Sequence, residues 1–191
     1  MKRFVLFVFV VFTTGLTMAQ NIVNFKLTPE GTFVGEEGQS YKILEFNGSS
    51  AEDLYSMIKT NIMKFYKSPK DVLSENEPIS LSIRALSDEI YSGYKLAGGF
   101  ISYRAFYNLI FHFKDGRIKV DAPIIDQRLD VQATGAAIGK TFKGYVDDWF
   151  DKKGHPKAKN IDDVNKVENI FNSIINSLIN GNTLNKDEED W

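Results

Sequence analysis

Apolar and polar positions follow several rhythms along this chain, and each change of rhythm marks an element. The first is a solid block. Lys2 and Arg3 precede an unbroken apolar run over residues 4–12, and Thr17-Met18-Ala19 then puts small residues at both cleavage-specificity positions. That pattern predicts a secretory signal over 1–19, and the run is too short for a spanning helix, which needs about 20 apolar residues. Residues 20–40 hold Pro29, Gly31, Gly35 and Gly38 with little periodicity, and read as a leader with at most a short strand over 22–27. Residues 41–46 have strand composition and run into Asn47-Gly48, a strong turn signal. Ser49 stands three residues before Glu52, the capping-box spacing, so a helix is expected there. Its apolar face is Leu54, Met57, Ile58, Ile62 and Phe65, and Pro69 ends it.

A linker through Pro78 leads to residues 79–84, where apolar and polar side chains alternate as in a half-buried strand. Residues 89–96 and 100–113 continue the β-prone character on either side of Gly98-Gly99. The sharpest signal is Asp115-Gly116, which suits a two-residue hairpin turn pairing Lys114 with Arg117. Counting outward, Phe113 faces Ile118, Phe111 faces Val120 and Leu109 faces Ala122 on an apolar side. His112 with Lys119, and Ile110 with Asp121, fall on the other. Small residues dominate from 132 onward, yet Ile138, Phe142, Tyr145, Val146, Trp149 and Phe150 recur at helical spacing. A longer helix is expected over 162–180, with Asp162 and Asp163 at its start, Gly181 at its stop, and Val164, Val167, Phe171, Ile174 and Leu178 on one face. An acidic tail closes the chain over 183–191.

Composition adds limits. The chain has no cysteine, which removes disulfides, thiolate metal sites and lipid attachment through a cysteine. Its 23 basic and 25 acidic residues give a net charge of −2, and loss of Lys2 and Arg3 with the signal makes it more acidic. That balance argues against nucleic acid or an anionic membrane surface as a partner. A hydrophobic content of 43% with 13% aromatic residues suffices for a packed core. The expected product is therefore an exported, soluble globular protein of the periplasm or the cell exterior, with no anchor once the signal is removed.

The order strand, helix, strand meander makes this an α+β chain. Three segments carry a closer likeness: Asp53-Leu54-Tyr55 opening the helix, Phe65-Tyr66-Lys67-Ser68-Pro69-Lys70-Asp71-Val72 closing it, and Phe113-Lys114-Asp115-Gly116-Arg117 at the late hairpin. In these it resembles a family of secreted bacterial proteins, domain of unknown function 4468, over residues 41–131. The resemblance implies a curved antiparallel sheet with a helix on one face, a TBP-like fold, and leaves residues 132–182 as a Gly-rich linker and two-helix extension. It implies no DNA binding and supplies no catalytic residues, since a shared fold does not carry function with it.

Candidate chemistry is sparse. Gly135-Ala136-Ala137-Ile138-Gly139-Lys140-Thr141 has the look of a phosphate loop, but Thr134 stands where the first glycine belongs. It reads better as a flexible entry to a helix. His112 and Asp121 occupy diagonal positions on one hairpin face, with Asn108 on the same strand, and a carboxylate beside an imidazole is the start of a general base. Lys119 opposite the histidine favours the plainer reading of a polar sheet surface. The other histidine, His155, sits in a Gly-His-Pro loop without metal-ligand spacing, so no metal or cofactor is expected. The doublets Asp147-Asp148 and Asp162-Asp163 are solvated or helix-start charge. Phe106 and Ile110 are out of place on the polar face beside His112, which calls for cover, and the C-terminal helix is the favoured cover. Tyr91, Tyr94, Tyr103 and Tyr107 offer aromatic contacts or core. The sequence thus points to a non-catalytic binding or envelope-interaction module, its weak candidate contacts being Phe106, Ile110, His112 and Asp121. The ligand class stays open between an envelope or other protein, a peptide and a glycan, and the alternative is a carrier holding a lipid or other apolar ligand between sheet and helices. A hydrolase built on His112 and Asp121 ranks last.

Overall fold

The computed structural model describes residues 22–94, 99–133 and 141–181. A two-strand ribbon, β1 (Lys26–Leu27) and β2 (Phe33–Val34), precedes β3 (Tyr41–Glu45), helix α1 (Ala51–Phe65) and the single turn α2 (Pro69–Val72). Then follow β4 (Leu73–Asn76), β5 (Ser80–Leu86), β6 (Tyr91–Tyr94), β7 (Phe100–Lys114), β8 (Arg117–Asp121) and β9 (Ile124–Ala133). Helix α3 (Phe142–Val146) runs into a 3-10 turn, and α4 (Ile161–Asn180) ends at Gly181 with φ +70°. The architecture is α+β, with an antiparallel sheet of seven strands covered on one face by α1 and α4.

The fifteen-residue β7 organises the sheet. One of its edges pairs with β5 and then β6, and the other with β8 and then β9. Side chains alternate across a strand, so Tyr103, Ala105, Tyr107, Leu109, Phe111 and Phe113 all point to the helices and are buried. The Asp115-Gly116 hairpin forms in the expected register, with Lys114 on Arg117, Phe113 on Ile118, His112 on Lys119 and Phe111 on Val120. It stops there. The expected pairs Leu109 with Ala122 and Ile110 with Asp121 do not form, because β9 takes over the edge at Asn108 with Ile124 and at Tyr107 with Ile125. Farther along, Ala105 pairs with Leu129, so four residues of β9 span what two residues of β7 span. This bulge keeps both Ile125 and Leu129 facing the core.

Helix α1 starts one residue later than the expected cap. Gly48, at φ +85°, closes a turn in which the Ser49 N–H donates to Phe46, which leaves Ser50 as the first extended residue. The Ser50 hydroxyl accepts from the Asp53 N–H at 3.1 Å and the Asp53 carboxylate accepts from the Ser50 N–H at 3.3 Å. The Ala51 N–H donates to Asp115 Oδ1 at 2.9 Å, joining the helix start to the hairpin turn. Leu54, Ile58 and Ile62 are buried as expected, and Tyr55 joins them. The helix stops at Phe65 rather than Pro69, since a residue before proline is pushed out of the helical region, and Pro69 instead opens α2. The segment read as a linker contains β4, whose Leu73 faces Ile83.

The segment read as a leader departs further from expectation. Val23, Phe25, Leu27 and Phe33 are buried in the same core as the sheet and helices, while Ile22, Asn24 and Lys26 are exposed. Helix α4 holds this segment with a polar stripe at four-residue spacing. Glu168 Oε1 accepts from the Leu27 N–H at 2.9 Å. Asn172 accepts from the Phe25 N–H at 2.8 Å and donates to the Phe25 carbonyl at 2.9 Å, and Asn176 does the same for Val23 at the same distances. One helical step of four residues rises about 6 Å and two strand residues about 6.6 Å, so the two periods match over this length. Glu168 is itself buried and completes its pairing with Lys26 Nζ at 2.9 Å. The two-helix extension is likewise part of the core: Phe142, Val146, Trp149 and Phe150 are buried, and the α4 face expected from the sequence is buried throughout. The signal segment 1–19 and the acidic tail 183–191 lie outside the described residues.

Replacing Asn172 by alanine orphans the N–H and carbonyl of Phe25 in a partly buried setting, so a loss of about 1–3 kcal/mol is expected in urea unfolding. Amide exchange at Phe25 should accelerate well before that at Leu109.

Candidate functional site

The outer face of the sheet, opposite α1 and α4, collects the four residues that the sequence singled out. On β7 these are Phe106, Ile110 and His112, and Asp121 stands at the end of β8. His112 Nε2 and Asp121 Oδ2 are 2.9 Å apart, so the diagonal contact forms. Lys119, directly across from His112, takes the other carboxylate oxygen at 2.8 Å. On the far side Ser80 of β5 is in register with His112, which places a hydroxyl, an imidazole and a carboxylate on three adjacent strands. The row is open to solvent, with His112 38% and Asp121 25% exposed in their side chains. An oriented histidine on an exposed strand surface can serve as a hydrogen-bonding contact without further machinery.

Beside this row lies an apolar patch edged with ion pairs. Phe106 is 41% exposed and Ile124 of β9 is 52% exposed. Ile124 pairs with Asn108, so it is a diagonal neighbour of both Phe106 and the half-buried Ile110. The expected cover by the C-terminal helix is absent. Helix α4 packs on the opposite face, where the Phe171 and Tyr107 rings meet at 5.4 Å, because its apolar stripe is already committed to the core. Arg84 of β5 lies over the Phe106 ring at 5.4 Å while its guanidinium pairs with Asp126 at 2.5 Å. Arg104 makes the equivalent pair with Asp130 at 2.6 Å. Farther along the face, Lys119 lies over the ring of Tyr41 at 5.5 Å. Sequence reading missed Ile124, whose only signal was an Ile-Ile pair after a proline, and it missed Arg84 and Asp126 because their pairing crosses two strand boundaries.

The other chemical candidates have structural roles or fall outside the described residues. Tyr103 and Tyr107 are buried, and the Tyr107 hydroxyl meets that of Tyr66 at 2.8 Å; burial pushes Tyr107 up to about 12. The side chains of Tyr91 and Tyr94 are not among those described. Of the phosphate-loop look-alike, residues 135–140 are outside the described residues, and the Thr141 hydroxyl caps α3 by accepting from the Gly144 N–H at 3.0 Å. His155 closes a loop around Asp151, whose carboxylate accepts from the backbone N–H groups of His155 and Lys153 and is held below its usual range by them. Among the described residues no cluster of three or more His, Asp or Glu side chains could hold a metal ion, and no helix is long and apolar enough to cross a membrane.

One ionised cluster went unread in the sequence. Glu75 on β4 accepts from the Tyr55 hydroxyl and pairs with Lys59 Nζ at 2.6 Å, which fastens α1 to the sheet edge. The Lys59 and Tyr55 hydrogen bonds hold the Glu75 carboxyl below its ordinary value, and burial followed by Glu75 pushes Tyr55 upward.

No family model matches the chain, and no curated protein matches it. Solved structures do. The chain is similar to a DUF4468 family protein from Bacteroides ovatus, at 12% identity and a TM-score of 0.48, over 80% of this chain and 84% of that one. It is also similar to a TBP-like protein from Parabacteroides distasonis, at 13% identity and a TM-score of 0.42, over 73% and 86%.

The Glu75 cluster has a pH signature. A carboxyl depressed in the fold stabilises above its free value of 4.5, and that contribution is lost as the pH falls through the folded value. Urea unfolding of wild type and Glu75→Gln should therefore differ at neutral pH, and the gap should shrink as the pH falls below that free value. A gap that stayed constant with pH would contradict the ion-pair assignment.

Proposed function

We propose that the protein is a non-catalytic binding module, exported across the inner membrane, that engages a protein partner through the outer face of its sheet. The observation that carries the reading is the trio Phe106, Ile110 and Ile124, uncovered by any described residue, centred on Asn108 and edged by Arg84 with Asp126, Arg104 with Asp130, and His112 with Asp121 and Lys119. An apolar centre within a charged rim is the anatomy of protein interfaces, where arginine and aromatic side chains are enriched. A solvent-exposed strand surface suits another protein better than a small molecule, which is held in a concave pocket. Export rests on the basic and apolar opening of the sequence. The carrier reading has less support. The layer between sheet and helices is filled by side chains in mutual contact, including Tyr55 against Phe113 and Phe33 and Tyr107 against Phe171.

Native mass spectrometry of the protein purified from its own cell envelope tests the reading. A bound protein whose affinity falls about tenfold or more in Phe106→Ala is the expected result, the scale of an interface anchor worth about 1–2 kcal/mol. A small apolar molecule that stays bound in both forms would replace this reading with the carrier.

A further inference from the structure

Helix α4 grips one extended segment by its backbone alone. Asn172 and Asn176 each accept from the N–H of a single residue, Phe25 or Val23, at 2.8 Å and donate to the carbonyl of that same residue at 2.9 Å. A primary amide carries an acceptor and donors side by side, which match the donor and acceptor that one strand residue presents along its edge. Four residues of helix advance nearly as far as two of strand, so successive amides meet alternate strand residues.

The same helix repeats the device along a neighbouring line. Asn165, Asn169 and Ser173 recur at four-residue spacing, all three are exposed, and no described residue hydrogen-bonds to their side chains. They line an open groove of about 560 Å³ together with Asp88, from the connection between β5 and β6, and with the half-buried Ile170 and the buried Ile174. That volume falls within the range of about 300–1,000 Å³ common to binding pockets. A helix face that only meets water needs neither a facing wall nor amides in step with a strand, and this one has both.

We infer that this groove binds an extended peptide segment of another protein, with Asn165, Asn169 and Ser173 as three stations on its backbone. Each asparagine pairs with the N–H and carbonyl of one residue, as Asn172 and Asn176 do, and the Ser173 hydroxyl meets a backbone group two residues farther along. The stations span about 12 Å of helix, the length of about five strand residues. Ile170 and Ile174 offer apolar surface to alternate side chains of the occupant, the pattern that Val23, Phe25 and Leu27 already show in the segment α4 holds. Asp162 and Lys166, one turn apart in the same lining, balance in charge, so selection falls on backbone and apolar side chains. Most hydrogen bonds formed here replace bonds to water and contribute little net, so binding is weak and reversible. The groove belongs to the helix layer, across the sheet from Phe106, and its occupation is independent of the partner on that outer face.

A nitrogen–proton NMR titration of the protein expressed from its full reading frame tests this. The probe is a synthetic peptide, capped at both ends, with the sequence Ile-Val-Asn-Phe-Lys-Leu-Thr of residues 22–28, whose alternation α4 already accepts. Because the stations read backbone, this peptide stands for its class. Up to about 2 mM peptide, the side-chain amide signals of Asn165 and Asn169 should shift and saturate with a Kd of about 0.1–1 mM, while those of Asn172 and Asn176 stay in place. Joint replacement Asn165→Ala and Asn169→Ala should weaken binding about tenfold or more and leave the melting temperature unchanged, since neither side chain has a hydrogen-bond partner among the described residues. Absence of a saturable shift at Asn165 and Asn169 would overturn the proposal. So would shifts confined to Asn172 and Asn176, which report exchange with the chain's own segment, and so would full affinity in the double variant.

Discussion

Everything else in the fold depends on the register of β7. Four strands bond to its two edges, and its side chains alternate between the helices and solvent. A slip of one residue would turn Leu109, Phe111 and Phe113 out to water and Phe106, Ile110 and His112 in. The register is pinned where the strand ends. Gly116, at φ +75°, supplies the turn, and Asp115 ties that turn to the start of α1. The constraint that packs the core is therefore the one that places the candidate contacts, because odd and even positions of a single strand serve the two purposes.

The outer face combines elements that contribute little singly. Exposed ion pairs such as Arg84 with Asp126 add about 0–1 kcal/mol to stability. What they do is hold geometry. The Asp126 carboxylate fixes the Arg84 guanidinium over the Phe106 ring, so a side chain that would otherwise sample several rotamers presents one arrangement. Lys119 is held in the same way between Asp121 and Tyr41. A surface ordered in advance loses less entropy on meeting a partner.

Local signals were legible in the sequence, and long-range ones were not. The Asp115-Gly116 turn fixed four residue pairs by counting alone, and the α4 face was readable from its three-four spacing and its glycine stop. The capping serine was misread by one position because Ser49 and Ser50 are adjacent and both precede an acid at the right distance. Residues 22–27 read as at most a short strand in a leader, because the groups that hold them, Asn172 and Asn176, come from the far end of the chain. Phe106 and Ile110 were recognisable as apolar side chains on a polar face. Ile124 was hidden because the register slips by one residue across Ala122-Pro123, between β8 and β9, so the count from the hairpin no longer holds there. The Glu75 cluster joins a strand to Tyr55 of a helix 20 residues earlier, a distance at which pattern is silent.

The polar stripe of α4 also sets an order of assembly. Val23 and Asn176 are separated by 153 positions, so the segment ahead of β1 finds its hydrogen-bond partners only when the last helix exists. During synthesis the amino-terminal segment must wait, its backbone bonded to water, while the hairpins near it in sequence can already close. Closing a loop that long carries an entropic cost that grows only slowly with length, but it couples the two ends of the chain into one cooperative step. A polypeptide truncated before Glu168 would keep the sheet-forming sequences and lose the clasp, leaving Val23, Phe25 and Leu27 with apolar surface and nowhere to bury it.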